Sequence, residues 1–150
     1  MLIRLAVTAD IAGVASLAEQ YWEFESIEGF NRQRIETLLR RLLSEPERGA
    51  CWVAEADGRL CGYLVAVIMF SLEHGGLMAE IDEVFVSAEK RSMGAGALLL
   101  AQAERDLGMR GLMRLQLQLG VDNGRARMFY QRHGFRRRAG YELLDKPLQG

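Results

Sequence analysis

The stretch that most restricts the fold runs from Leu77 to Leu100, LMAEIDEVFVSAEKRSMGAGALLL. It joins a β-like segment, LMAEIDEVFV (77–86), to an apolar helix-like run through a turn holding Gly94 and Gly96. Glycine is the poorest helix former after proline, so its placement where a helix is about to begin needs a reason. A strand, a glycine-rich turn and a helix N-terminus together make an anion site. Up to four backbone N–H groups lack helical partners there, and the macrodipole adds roughly half a positive charge. The glycines let phosphates approach the backbone, and Arg91 can add a charge-assisted contact. Spacing excludes two ligand classes. A P-loop needs Gly-Lys-Ser/Thr at the helix start, whereas Ala97 and Leu98 follow Gly96. A dinucleotide fingerprint needs a third glycine where Leu99 stands. Taken alone, RxxGxG is equally readable as a plain surface turn.

The rest of the chain supplies a context for that turn. LIRLAV (2–7) alternates and predicts a first strand; Thr8 is placed to cap a helix carrying Ile11, Val14, Ala15, Leu17, Ala18 and Tyr21. Asn31 is placed to cap a second helix, with Ile35, Leu38, Leu39, Leu42 and Leu43 as one apolar stripe, closed by Pro46 and Gly49. CWVAEADGRLCGYLVAV predicts a hairpin turning at Asp57-Gly58, and SLEHGG (71–76) a loop. A third helix is expected from about Gly94 to Met109, a strand over LMRLQLQL (112–119), and a fourth helix from about Asn123 to His133. The tail, FRRRAGYELLDKPL, reads as one or two further strands. The order β, two helices, three strands, helix, strand, helix, strand predicts a mixed α/β fold with an antiparallel front and one βαβ unit behind.

Composition narrows the function classes. A length of 150 residues predicts a single domain over 1–150. Residues are 49% hydrophobic and 26% charged, which indicates a globular chain. A net charge of −1 gives no field for general nucleic-acid binding, so no nucleic-acid partner is expected. The longest apolar stretch, YLVAVIMF (63–70), is too short to span a bilayer, and the N-terminus does not read as a signal peptide. No membrane partner and a cytoplasmic location are therefore expected. A turn at 57–58 sets Cys61 opposite Ala54 and Cys51 opposite Leu64, which opposes a disulfide between the cysteines. Neither forms a CxxC or has histidine at ligand spacing, and no metal is expected.

Two spaced motifs carry a family resemblance. Arg91-Ser92-Met93-Gly94-Ala95-Gly96 fits a [Q/R]xxGx[G/A] signature, and NGRARMFYQRHGF (123–135) fits a second motif, N..A..FY...GF, through Asn123, Ala126, Phe129, Tyr130, Gly134 and Phe135. Together they resemble the GCN5-related N-acetyltransferase (GNAT) family, and the element order agrees over nearly the whole chain. Ser92 departs from the glycine often found at its position. The resemblance implies a mostly antiparallel mixed sheet with one splayed parallel strand pair and about four helices. It implies acetyl-CoA as cosubstrate and transfer of its acetyl group to a primary amine. The backbone of Arg91, Ser92, Met93, Gly94, Ala95 and Gly96 would hold the pyrophosphate. The main chain of Val84, Phe85 and Val86 would pair with the pantetheine arm, one N–H polarising the thioester carbonyl as an oxyanion donor. Asn123 would cap its helix and touch the arm.

Direct attack on a thioester needs a base for the amine and an acid for the departing thiolate. Tyr130 matches the family's general-acid tyrosine. Strand alternation puts Glu83 with Phe85 on one face, and Glu80 and Asp82 with Val84 and Val86 on the other, which makes Glu83 the expected base. His74 is an outside candidate. YWEFESIEGF (21–30), with Glu19, Glu23, Glu25 and Glu28, suits a wall for a cationic, partly apolar amine. Polyamine, aminoglycoside, amino acid, peptide N-terminus and lysine side chain all stay open. The competing function is a catalytically silent acetyl-CoA-binding sensor or assembly module. A homodimer through an exposed sheet edge or the arginine-rich tail strand is compatible with either.

Overall fold

A computed structural model describes residues 1–149. They fall into two compact units, Met1–Leu117 and a second beginning at Gln118. The first contains β1 (Leu2–Leu5), α1 (Ile11–Phe24), α2 (Arg32–Ser44), β2 (Gly49–Ala56), β3 (Arg59–Ser71), β4 (Gly76–Val86), α3 (Ala95–Met109) and β5 (Leu115–Leu117). The strands form one sheet in the order β1-β2-β3-β4-β5, antiparallel except for the parallel pair β4–β5.

Alternation along the strands builds two different faces. Cys51, Val53, Tyr63, Val65 and Phe85 pack against Ile11, Val14, Leu17 and Ala18 of α1 and Leu39 of α2. The intervening residues turn the other way: the Trp52 indole N–H donates to Asp106 Oδ2 of α3 at 2.7 Å. Leu99 and Leu100 of α3 are fully buried.

Local chemistry explains most element ends. Asn31 Oδ1 accepts from the Arg34 N–H at 3.0 Å, capping α2 as the sequence predicts. Thr8 does not cap α1. Residues Thr8–Asp10 form a 3-10 turn, and the Asp10 carboxylate accepts the Val7 N–H at 2.7 Å. That carboxylate is fixed by Arg4 through contacts of 2.7 and 3.0 Å, and an ionised acceptor outcompetes a hydroxyl. Asp57 and Gly58 both take positive φ (53° and 73°), the type I′ requirement of a two-residue hairpin.

Two bulges shift the register that simple counting gives. In the β2–β3 pair Ala54 faces Gly62 and Glu55 faces Leu60, so Cys61 has no opposite residue and Cys51 faces Val65 rather than Leu64. Both cysteines are nonetheless free and buried. In the β3–β4 pair Val65 faces Glu83 while Ala66 faces Ile81, which leaves Asp82 as the extra residue.

β5 is shorter than the expected 112–119. Its start is held back because the Leu112 N–H closes α3 on the Leu107 carbonyl at 3.1 Å. Its ladder with β4 ends at Ile81↔Leu117, and β4 runs on to Val86 without it. The parallel pair therefore separates at its C-terminal end.

The second unit contains α4 (Gly124–Arg132), capped by Asn123 Oδ1 accepting from the Ala126 N–H at 3.2 Å. The tail strands expected from the sequence are absent among the described residues. A strand needs a partner, and the described residues of this unit contain no other strand. Gly140 takes φ +90° and the Arg138 guanidinium lies 4.6 Å from the Tyr141 ring centroid, so this segment turns instead of extending.

Candidate active site

The apolar stripe of α2 is wider than the surface it covers. Leu39 is buried, but Leu38 stays 48% exposed and Ile35, Leu42 and Leu43 are half-buried. Between this stripe and the sheet lies a cavity of about 250 Å³. Tyr63, Val65 and Val67 of β3 form its floor with Asp82 and Glu83 of β4, while Val14 and Ala18 of α1 close one side. Arg41 and Arg48 also line it.

The bulge at Asp82 is what brings two consecutive carboxylates into one cavity. In a regular strand Asp82 and Glu83 would point to opposite faces, as the sequence reading had them. Glu80, expected on the α3 side, pairs with Val67 of the cavity floor and accepts the Gln116 amide at 2.8 Å. All three acids therefore belong to the α1/α2 side, a correction that follows from one extra residue.

Glu83 is the most constrained of them. The Trp22 indole N–H of α1 donates to its Oε2 at 2.9 Å and the Tyr63 hydroxyl donates to its Oε1 at 2.8 Å. Burial pushes its carboxyl above the ordinary value of 4.5, the two hydrogen bonds pull it back, and Asp82 adds repulsion. Burial also raises Asp82, with help from Glu80. Tyr63 is raised far out of the physiological range by burial and by Glu83, so its hydroxyl remains a donor. A carboxylate has about four acceptor positions, and two fixed donors leave room for an incoming N–H. Alternation places Glu83 on this face with Phe85, as the structure has it, but does not bring Tyr63 to it; that signal lies in the hairpin register, which the bulge at Cys61 displaces by one.

The segment 21–30, expected as an acceptor wall, does not line the cavity; it touches the site through the Trp22 bond to Glu83. Tyr21, Trp22 and Phe30 are half-buried, with Trp22 against Phe30 at 5.6 Å and Tyr21 against Phe85 at 6.0 Å. Glu19, Glu23, Glu25 and Glu28 are exposed and do not line the cavity. His74 sits in the turn joining β3 to β4, six residues along the strand from the Val65↔Glu83 row. At 3.4 Å per residue that is about 20 Å. It takes no part in this site.

The glycine turn lies beyond β4. Residues 88–93 make a 3-10 turn, and Gly94 takes the left-handed conformation (φ 76°, ψ 13°) that any side chain would strain. A Cβ there would meet nothing within 4 Å, so the turn opens onto free space. The Leu98 N–H to Gly94 carbonyl bond (3.1 Å) starts α3, which leaves the amides of Ala95, Gly96 and Ala97 without helical acceptors. That geometry fits an anion such as a pyrophosphate held by backbone. The Arg91 side chain is anchored locally through one of its nitrogens. Its Nε donates to the Val86 carbonyl at 3.0 Å and its guanidinium lies 4.7 Å from the Phe24 ring centroid and 5.5 Å from that of Phe85. Its side chain is engaged by β4 and α1; the turn's backbone remains for an anion.

Strand alternation also sorts the amides of Val84, Phe85 and Val86. The Ser87 N–H donates to the Cys61 carbonyl at 2.8 Å, which directs Ser87, and by alternation Phe85, toward β3. The amides of Val84 and Val86 then point to the opposite edge, beyond the end of the β4–β5 ladder. Phe85 contributes through its ring instead, buried against Tyr21 and Phe24.

Asn123 and Tyr130 belong to the second unit. Tyr130 is buried there, edge-on to Phe129 (5.1 Å) and Phe135 (5.4 Å), and its carbonyl accepts the Phe135 N–H at 3.0 Å. The motif residues Phe129, Tyr130, Gly134 and Phe135 thus form one packed turn at the end of α4, with Gly134 at φ +90°. No helix among the described residues is long and apolar enough to cross a membrane.

A splayed parallel pair, an open glycine turn after the longer strand and a carboxylate-floored cavity beside it are arranged as the acetyltransferase resemblance implies. The profile of the Acetyltransferase (GNAT) family matches residues 11–135, and the chain belongs to that family. It is 31% identical over 141 residues to the uncharacterized N-acetyltransferase YhfO of Bacillus subtilis strain 168, covering 94% of this chain and 93% of the relative. Among solved structures, a probable acetyltransferase superposes with a TM-score of 0.86 at 23% identity, covering 100% of this chain and 99% of the other. The aminoglycoside 6'-N-acetyltransferase AAC(6')-Ig of Acinetobacter haemolyticus superposes with a TM-score of 0.80 at 18% identity, over 99% of this chain and all of the other. The chain is an acyltransferase of the N-acetyltransferase class.

Proposed function

We propose that the chain works as one cytoplasmic N-acetyltransferase domain, moving the acetyl group of acetyl-CoA to a primary amine bound in the cavity beneath α2. The observation that carries this reading is the placement of two consecutive residues on β4. Glu83 projects into the cavity under two fixed donors, while the amide of Val84 points to the unpaired edge of the same strand. A base for the amine and a donor for the carbonyl oxygen are thus one residue apart, on different sides of one rigid element.

Acetyl-CoA supplies a thioester whose carbonyl carbon accepts the amine. The amides of Ala95, Gly96 and Ala97, with the open turn at Gly94, suit its pyrophosphate. Val84 and Val86 offer their amides to the arm and the reacting carbonyl; Phe85 shapes the wall through its ring. The neutral amine attacks, its proton passes to Glu83 directly or through one water, the carbon–sulfur bond breaks, and Tyr130 protonates the sulfur leaving group. Asn123 keeps α4 capped beneath Tyr130. Direct transfer is supported by the cysteines: burial raises Cys51 to about 12 and raises Cys61, so neither is a ready thiolate.

Calorimetric titration with acetyl-CoA, using ATP and NAD as controls, tests the reading first. Binding of acetyl-CoA alone, lost in Gly96→Glu, is expected, followed by thiol release on adding amines. Tyr130→Phe should lower turnover by about 10²-fold or more. Binding without thiol release from any amine favours the silent sensor instead. Absence of binding up to millimolar acetyl-CoA refutes both.

A further inference from the structure

The charge along the cavity changes sign. Asp82 and Glu83 stand at the floor, while Arg41 and Arg48 line the same space from α2 and the segment that follows it. The two guanidiniums are joined by a single carboxylate, Glu45, at 2.8 Å to Arg41 Nε and 2.9 Å to Arg48 Nη2. Glu47 acts on Arg48 more weakly, and Arg110 adds a third guanidinium by donating to the Pro46 carbonyl. Arg41 and Arg48 are the charged residues that line the cavity at this end; Glu80 stands opposite Val67 on β4, outside the lining, with the Gln116 amide on its carboxylate. Both lining arginines are more than half exposed, and exposed ion pairs are weak enough for an incoming anion to share their donors. Between the two ends the lining is apolar, built from Ile35, Leu38, Leu42, Val65 and Val67.

We propose that the acceptor is an amine on an apolar body that ends in an anionic group, the amine lying at Asp82 and Glu83 and the anion at Arg41 and Arg48. This deepens the acetyltransfer reading and rests on it for the amine's fate. The register sets the length. Glu83 lies opposite Val65, and the Arg48 carbonyl accepts the Ile68 N–H at 2.8 Å, three residues further along β3. Those rows are about 10 Å apart, less the reach of an arginine folding back. An acceptor of about five or six methylene lengths fits, longer than an α-amino acid. Polycations are disfavoured, because their second charge meets the arginine end.

The test compares 6-aminohexanoate with hexylamine, which share an amine and an apolar chain but differ in the terminal carboxylate. Equilibrium binding to the intact protein is measured first, by calorimetry, and acetyl transfer second. We expect wild type to bind and acetylate 6-aminohexanoate at least tenfold better by kcat/KM, mainly through KM. The preference should fall to about one in Arg41→Met/Arg48→Met and shrink with added salt. Both arginines are exposed, and a melting curve checks that the double variant folds. Equal use of the two amines by wild type overturns the inference while leaving acetyl transfer intact, as does a preference that survives in the double variant. Preferential binding of 6-aminohexanoate without acetylation of either amine upholds the site and overturns the transfer reading instead.

Discussion

The two faces of the sheet in the first unit are built from the same strands and finished to different standards. Against α3, Trp52, Leu64, Ala66, Ala79, Leu99, Leu100 and Ala103 are all at 1% exposure or less. The polar group buried there, the Trp52 indole, has its partner in Asp106, itself fixed by Gln102 at 2.9 Å. Against α1 and α2 the same sheet leaves a 250 Å³ cavity, an exposed Leu38 and carboxyls that burial has pushed up. Desolvating a carboxylate destabilises the fold, so a packed layer on one side offsets a site held open on the other. The α1 half of the open face is itself tightly packed, with Ala15, Cys51, Val53 and Tyr63 at 1% exposure or less, so the looseness is confined to the α2 side where the cavity lies.

The largest expected effect breaks that comparison at its closed face. Leu99 is fully buried, and a Cβ on Gly62 would lie 3.3 Å from its Cδ1, so no slack exists to collapse into the space it leaves. Leu99→Ala should cost about 3 kcal/mol and lower the melting temperature by roughly 6–12 °C. A loss below about 1 kcal/mol, read from urea unfolding, would mean this face is no better packed than the other.

Two carboxylates sharpen the contrast through pH. Asp10 is held below its ordinary value of 3.8 by the Arg4 hydrogen bonds, against a desolvation penalty and with help from the Val7 N–H. Its contribution is fully present above 3.8 and is lost as pH falls through its lowered folded value. Asp10→Asn should therefore cost about 2 kcal/mol at pH 7, and the gap to wild type should close in strong acid. Glu83 has the opposite sign. Its penalty is absent below 4.5 and complete above its raised folded value. Tyr63→Phe removes a hydrogen bond that favours ionised Glu83, so the acid limb of kcat/KM should move to higher pH. An unmoved acid limb would assign the base elsewhere, with Asp82 the next group to replace.

What the sequence disclosed follows the same division. The α3 side was legible because period-2 strands and an apolar helix need nothing but alternation, and the glycine turn because a left-handed residue before a helix demands glycine at position 94. The helix caps at Asn31 and Asn123 were equally local. The open side depended on two single-residue bulges, at Cys61 and Asp82, and each reverses the alternation beyond it. Counting along the chain cannot see either one, since a bulge is decided by the partner strand. Glu83 was found by alternation from Phe85, on the near side of the bulge, whereas Asp82 and Glu80 lay across it. Tyr63 and Arg48 were missed because only the folded register brings them to the acids. The tail differs for a related reason: a strand is a property of a pair, and its segment has no mate among the described residues of the second unit.

The smallest expected effect is the one that best separates the faces. Leu38 sits on the apolar stripe of α2 and lines the cavity, yet it is 48% exposed, so truncation removes little buried area and leaves no closed void. Leu38→Ala should cost below about 1 kcal/mol, several-fold less than the same change at Leu99. Its consequence should appear in the acceptor instead. A wider apolar wall near the middle of the cavity relaxes discrimination against bulkier amines, where each methylene contributes about 0.8 kcal/mol. Branched amines should improve two- to fourfold in kcat/KM relative to straight ones, at nearly unchanged melting temperature. If Leu38→Ala instead melts as early as Leu99→Ala, α2 is part of the folding core, and the half-open layer beneath it is a packing defect that the rest of the molecule tolerates.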